Sequence, residues 1–167
     1  EAVESAIKLA RKYFFDQGQS GRTEIITMHN SFHGRTLGSL SATAQKKFHT
    51  GFKPLLPGFK HIPFNDLQSA RKAITKKTCA ILVEPIQGEG GVNVPDPSYL
   101  KGLKKLCQKN GALLIFDEVQ SGFGRTGKLF AYELYKTKPD IMTMAKALGG
   151  GVAIGAMAAT NKVMKSF

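Results

Sequence analysis

Cysteine is scarce in this sequence: its 167 residues include two, Cys79 and Cys107. Two thiols cannot build a disulfide framework, and no Cys/His spacing suggests zinc, so no metal site is expected. Cys79 opens the apolar run CAILVE and Cys107 lies in LKKLCQK, which are positions of buried thiols in a reducing compartment. No apolar run approaches the about 20 residues of a membrane span, so a membrane partner is not expected. Internal repeats and low-complexity stretches are missing as well, which leaves an ordinary globular composition. There is no signal-peptide pattern and no initiator methionine. The opening EAVESAIKLARKY already reads as helix interior, so the expectation is a piece of a longer chain.

Acidic residues are few. Asp and Glu number 12 against 24 Lys and Arg, a formal net charge of +12. A solvated, lysine-rich surface accounts for such a balance; the alternative is binding to nucleic acid or to anionic substrates. The basic residues are scattered through most segments with no aromatic stacking motif among them. That argues against a dedicated nucleic-acid face.

What is present is an alternation of strand and helix patterns. Val3, Ala6, Ile7, Ala10, Tyr13 and Phe14 recur at helical spacing. EIITM reads as a strand, HNSFHGRT as the turn at its end, and TLGSLSAT as a helix of small residues. QKKFHTGFKPLLPGF is a loop whose length makes it a candidate functional segment. HIPF reads as a short strand, and Asn65 as the N-cap of DLQSARKAI. CAILVE is a buried strand closed by Pro85. A helix follows Pro97-Ser98 and ends at Asn110-Gly111. ALLIFD, DIMTMA and AIGAMAAT read as strands, LFAYELY as a short helix and NKVMKSF as the start of another. This order implies one α/β domain with a largely parallel sheet and right-handed crossovers, without a linker or internal boundary.

Two strand ends carry chemistry. LLIFDEVQSGFGRTG stops its apolar run at Asp117, and PDIMTMAKALGGG delivers Lys146 just beyond its own; glycine-rich turns follow both. In an open parallel sheet, function gathers beyond the carboxyl ends of the strands. A lysine there can form a Schiff base, and an aspartate can keep a ring nitrogen protonated. Ordinary readings stand beside these: a strand-closing surface lysine, and an aspartate capping its turn. GFGRTG (122–127) lacks the P-loop lysine and does not read as a dinucleotide fingerprint, so it is taken as a structural turn.

Four segments occur in one order: Asn30-Ser31-Phe32-His33-Gly34-Arg35-Thr36, Glu84-Pro85-Ile86-Gln87-Gly88-Glu89-Gly90-Gly91, Asp117-Glu118-Val119-Gln120, and Lys146-Ala147-Leu148-Gly149-Gly150-Gly151. Together they resemble the class III, or ornithine-type, pyridoxal-phosphate aminotransferases. NSFHGRT with EPIQGEGG is most similar to the acetylornithine branch of that family. The resemblance implies a fold-type I large domain with a mostly parallel mixed sheet flanked by helices, and a homodimer with active sites near the subunit interface. It implies pyridoxal 5'-phosphate as cofactor, and a small-molecule amino donor and a 2-oxo acid as partners. The implied reaction is ω-amino transfer from N2-acetylornithine to 2-oxoglutarate, as in arginine biosynthesis. Ornithine, succinylornithine and 4-aminobutyrate aminotransferases are alternatives within the family, as is a glutamate-semialdehyde aminomutase. An inactive fragment or a basic binding protein are the alternatives from other classes.

Residue by residue, the resemblance makes Lys146 the Schiff-base lysine and the base that moves the substrate proton. Asp117 is the partner of the pyridine nitrogen, Phe32 stacks on the ring, Val119 packs against it, and Gln120 contacts the phenolic oxygen. Glu118 belongs to the same cofactor segment. Arg35 faces the substrate carboxylate, and Glu89 is the glutamate that pairs with an arginine of the C-terminal domain. His33 and Glu84 are expected to support the site from behind. Residues 1–167 would then be part of the cofactor-binding large domain. The phosphate-binding turn would lie before Glu1 and the small C-terminal domain after Phe167, and residues 1–167 alone would be inactive. Free cysteines point to the cytoplasm; a mitochondrial matrix protein would read the same.

Overall fold

The apolar runs become the strands of a single sheet. A computed structural model describes residues 1–167. Its strands are β1 (Glu24–Met28), β2 (Phe59–Ile62), β3 (Thr78–Val83), β4 (Leu113–Asp117), β5 (Ile141–Met144) and β6 (Ala156–Ala159). They lie in the order β2-β1-β3-β4-β5-β6, all parallel except β6, which returns antiparallel to β5. The helices are α1 (Ala2–Asp16), α2 (Leu37–Ala42), α3 (Leu67–Ala73), α4 (Tyr99–Asn110), α5 (Ala131–Leu134) and α6 (Asn161–Met164). None is long and apolar enough to cross a membrane.

Alternation along the strands divides the core in two. Ile25, Ala80, Leu82, Leu113, Ile115 and Ile141 pack under the apolar stripe of α1. Their neighbours Ile26, Ile81, Val83, Leu114 and Phe116 point the other way, against Leu100, Leu103 and Cys107 of α4. Period-two alternation in the strands and 3.6-residue periodicity in the helices thus build three layers. All six residues of β3 are buried, as a central parallel strand covered on both faces requires. Full burial of side chains such as Leu114 and Phe116 stabilises the fold by about 1.5–3 kcal/mol each. Cys79 and Cys107 are free and buried, and burial pushes both thiols up to about 12, which keeps them inert.

Two local expectations need correction. The short strand is FKHI rather than HIPF, because Pro63 has no N–H to continue the ladder after Ile62. The N-cap of α3 is Asp66, not Asn65: Asp66 Oδ1 accepts from Gln68 N at 2.9 Å and Ser69 N at 3.0 Å. Asn65 instead adopts φ 60° and pairs its amide with Asp96 across the surface.

Candidate active site

Because the strands before β6 run parallel, the segments leaving β1, β3, β4 and β5 emerge at one edge. The chain winds from β1 outward to β2, then crosses back to β3 and continues to β4 and β5. That reversal opens a crevice between the loops after β1 and β3, where ligands bind in sheets of this kind.

Asp117 ends β4 and is 3% exposed. Its Oδ2 lies 2.7 Å from His33 Nδ1, while Oδ1 accepts from Thr143 Oγ1 at 2.9 Å and from Val119 N at 3.2 Å. A carboxylate offers about four lone-pair sites, so three partners hold the group and leave capacity for a further donor. The supporting role expected of His33 takes the form of this contact. Its backbone N also donates to Thr43 Oγ1 at 2.8 Å, and its Nε2 is buried without a protein partner. Thr143 escaped the sequence reading; the available signal was a lone hydroxyl at a buried position of the apolar strand IMTM.

Glu84 follows β3 and is also buried. Phe32 N donates to its Oε1 at 2.8 Å and Gly88 N to its Oε2 at 3.3 Å. One carboxylate therefore ties the turn after β1 to the glycine loop after β3. Two glycines of that loop are there for close approach. A Cβ on Gly88 would come within 2.7 Å of Gln120 Oε1, and one on Gly90 would collide with the carbonyl of Asn30. Burial, the dominant cause, pushes the Glu84 carboxyl up to about 6 from 4.5; His33 opposes the rise and Asp117 adds to it. The folded state thus holds this proton more tightly than the unfolded chain does. The resulting stabilisation is complete below 4.5 and is lost as pH rises through about 6. Glu84→Gln is expected to flatten this part of the stability profile, seen as a smaller change in Tm across that window than in the parent.

Lys146 follows β5 at φ 49°, a left-handed conformation that a side-chain-bearing residue rarely adopts. It is an exposed residue that opens a 3-10 turn running to Gly149. Its pKa is lowered, first by partial desolvation and then by the Arg125 guanidinium, against the pull of Asp117 and Glu84. Arg125 is held by the carbonyls of Val119 and Gln120 at 3.3 and 3.4 Å, so the GFGRTG turn folds back over the segment after β4. Within that segment Val119 lines the cavity beside His33, while Gln120 packs against Gly88 and its Nε2 is buried with no protein partner.

Glu118 is directed elsewhere. Its fully buried carboxylate accepts from Ser121 Oγ at 2.5 Å, Ala131 N at 3.0 Å and Tyr132 N at 2.8 Å. It caps α5 and closes the turn after β4.

Phe32 is half-buried, and Arg35 and Glu89 lie at the rim. Arg35 stacks over Phe48, and Glu89 accepts from Gln45 Nε2. A cavity of about 850 Å3 opens beside His33, Arg35, Thr36, Val119 and Ala145, with the first turn of α1 as its far wall. Asp117, Lys146, Phe32 and Gln120 do not line it, so it adjoins the cluster at the strand ends rather than enclosing it. No group of three His, Cys, Asp or Glu side chains is arranged to hold a metal ion.

The donor set fits a pyridine cofactor. Asp117 has acceptor capacity to spare, Gln120 has an unpartnered buried amide, and Lys146 supplies an amine of lowered pKa.

Comparison with known proteins identifies relatives along the whole chain. The family model described as aminotransferase class-III matches residues 1–167. The acetylornithine aminotransferase of Methanocaldococcus jannaschii is 55% identical over 167 residues, covering 99% of this chain and 42% of that protein. A Pseudomonas aeruginosa protein named succinylornithine transaminase/acetylornithine aminotransferase is 52% identical over 165 residues, covering 99% and 41%. Among solved structures, an ornithine aminotransferase from Toxoplasma gondii with partial occupancy of PLP at its active site superposes with a TM-score of 0.94. It is 38% identical, with coverage of 99% of this chain and 40% of that one. The chain thus spans about two fifths of the length of the curated relatives it matches.

Proposed function

The chain belongs to the class-III aminotransferase family, whose members depend on pyridoxal phosphate, and on that premise we propose that it carries the catalytic core of an ω-amino-group transferase. The donor is N2-acetylornithine and the acceptor 2-oxoglutarate, giving N-acetylglutamate semialdehyde and glutamate. The observation that carries this reading is the convergence of Lys146, Asp117 and Phe32 at one sheet edge, with Gln120 Nε2 left without a protein partner. Since the relatives are more than twice as long, we propose further that residues 1–167 are part of the large domain of a longer protein. That protein acts as a cytoplasmic homodimer, and its phosphate-binding turn and small C-terminal domain lie outside these residues.

Bound in the crevice, pyridoxal phosphate supplies a carbon that accepts the amino group and a ring that takes up the electron pair released when the adjacent C–H bond breaks. The chain's own residues do the rest. Lys146 takes the proton from the carbon bearing the donor's amino group and would deliver it to the cofactor carbon that accepts that group; its lowered pKa favours the neutral amine this requires. Asp117, fixed by His33 and Thr143, keeps a proton on the ring nitrogen through a charge-assisted bond. Phe32 would stack on the ring and exclude water, and Val119 would pack against it. Gln120 donates through its unpartnered amide, and Arg35 binds the substrate carboxylate with its planar fork.

The relative that carries both names favours N2-succinylornithine as the second reading of the donor. Comparing kcat/KM for N2-acetylornithine, N2-succinylornithine, ornithine and 4-aminobutyrate in the full-length protein separates the two. N2-acetylornithine is expected to lead by about tenfold or more. A preference for ornithine or 4-aminobutyrate would overturn the assignment.

A further inference from the structure

Residues 45–52 hold no group assigned to the chemistry above, yet they touch three residues that are. The Phe48 ring meets Phe32 edge-on, with centroids 5.3 Å apart and planes at 72°. The Arg35 guanidinium carbon sits 5.1 Å from the centre of the Phe48 ring and 5.8 Å from that of Phe52. Gln45 Nε2 donates to Glu89 Oε2 at 2.5 Å and to the Ser31 carbonyl at 3.1 Å, while Lys47 Nζ lies 3.5 Å from Glu89 Oε1. His49 Nε2 is 2.7 Å from the Thr43 carbonyl, which pins the far side of the turn. The segment is thus anchored at both ends, with Phe48 held between Phe32 and Arg35.

Arg35 takes part in none of the chain's ion pairs. Two aromatic rings lie beside its guanidinium, and its side chain makes no hydrogen bond within the chain. A cation–π contact takes up no N–H donor in a hydrogen bond to oxygen, so the planar fork stays free for a bidentate carboxylate. A hydrogen-bonding partner in place of the ring would have consumed some of those donors.

We propose that Phe48 is a specificity-determining positioning residue, which holds Arg35 against its ring and leaves the guanidinium donors to the carboxylate of donor and acceptor. This rests on the function proposed above. Phe48 touches neither substrate nor cofactor in this account; it acts through Arg35.

Titration of the full-length protein with glutarate, an unreactive dicarboxylate, tests the proposal by calorimetry. Phe48→Leu removes the ring face and is expected to raise the glutarate Kd about fivefold or more, with a matching rise in KM for 2-oxoglutarate and kcat within about twofold of the parent. Phe48→Tyr keeps the face and should bind within about twofold of the parent. Phe48→Met, a second ring-free variant, should behave as the leucine variant does, with thermal unfolding verifying the fold of each. Unchanged glutarate binding in the ring-free variants, a tyrosine variant as weak as they are, or a parent that binds no glutarate would overturn the proposal. Glutarate binding is read independently of amino transfer, so failure of the functional reading would appear in turnover and failure of this proposal in the ranking of Kd values.

Discussion

Replacing Lys146 by alanine is expected to lower amino transfer by at least about 10^4-fold while leaving the fold intact. On the proposed function, two roles meet on this side chain: the covalent hold on the cofactor and the transfer of the substrate proton. General-base transfer alone contributes about 10²–10⁴-fold, and loss of the covalent route adds to it. The stability change should be small. Lys146 is exposed and joins no ion pair, and alanine at φ 49° carries the same backbone strain that lysine does. Lys146→Arg should be as inactive as the alanine variant, because a guanidinium does not give up its proton in the working range. Steady-state turnover beside thermal unfolding separates this outcome from simple misfolding. A Lys146→Ala protein with ordinary kcat would remove the chemistry assigned to the site.

The second large effect falls on Asp117. Asp117→Asn is expected to reduce kcat/KM by about 10²–10³-fold, the range for losing one preorganised electrostatic contact at a reacting centre. The cause is chemical: a neutral amide cannot hold a proton on a ring nitrogen as a carboxylate does. This variant should also lose stability, unlike the lysine variant. Its new amide group faces His33 Nδ1 or Thr143 Oγ1 in a space that is 3% exposed. One mispaired buried polar contact costs about 1–3 kcal/mol. Asp117→Asn with both activity and Tm of the parent would mean that the buried cluster serves neither purpose.

Much of this architecture could be read from periodicity. Apolar runs of strand length, separated by helical spacing and by turn residues, are enough to place β1, β3, β4 and β5 along the chain. A parallel sheet then fixes which ends meet. Asp117 and Lys146 were legible for that reason, since each stands at or just past the end of an apolar run. The rest was not legible, for two reasons. Around residues 61–66, competing local signals sit one residue apart, and small differences in capping chemistry and the missing N–H of Pro63 decide among them. At Glu118 and Phe48 the deciding contacts come from residues distant in the chain. Glu118 is claimed by the backbone of α5, and Phe48 meets Phe32 and Arg35 only after the 45–52 turn folds back over the first loop. Neither approach leaves a period or a spacing in the sequence.

The central claim is that the amine of Lys146 and the carboxylate of Asp117 are the two poles of one cofactor site. Borohydride reduction of the full-length protein with pyridoxal phosphate, followed by peptide mass analysis, tests it most directly. The account predicts a reduced cofactor adduct on the peptide carrying Lys146, formed with loss of the visible absorption band, and strongly diminished labelling of that peptide in Asp117→Asn. Labelling spread over surface lysines with Lys146 unmodified would contradict it.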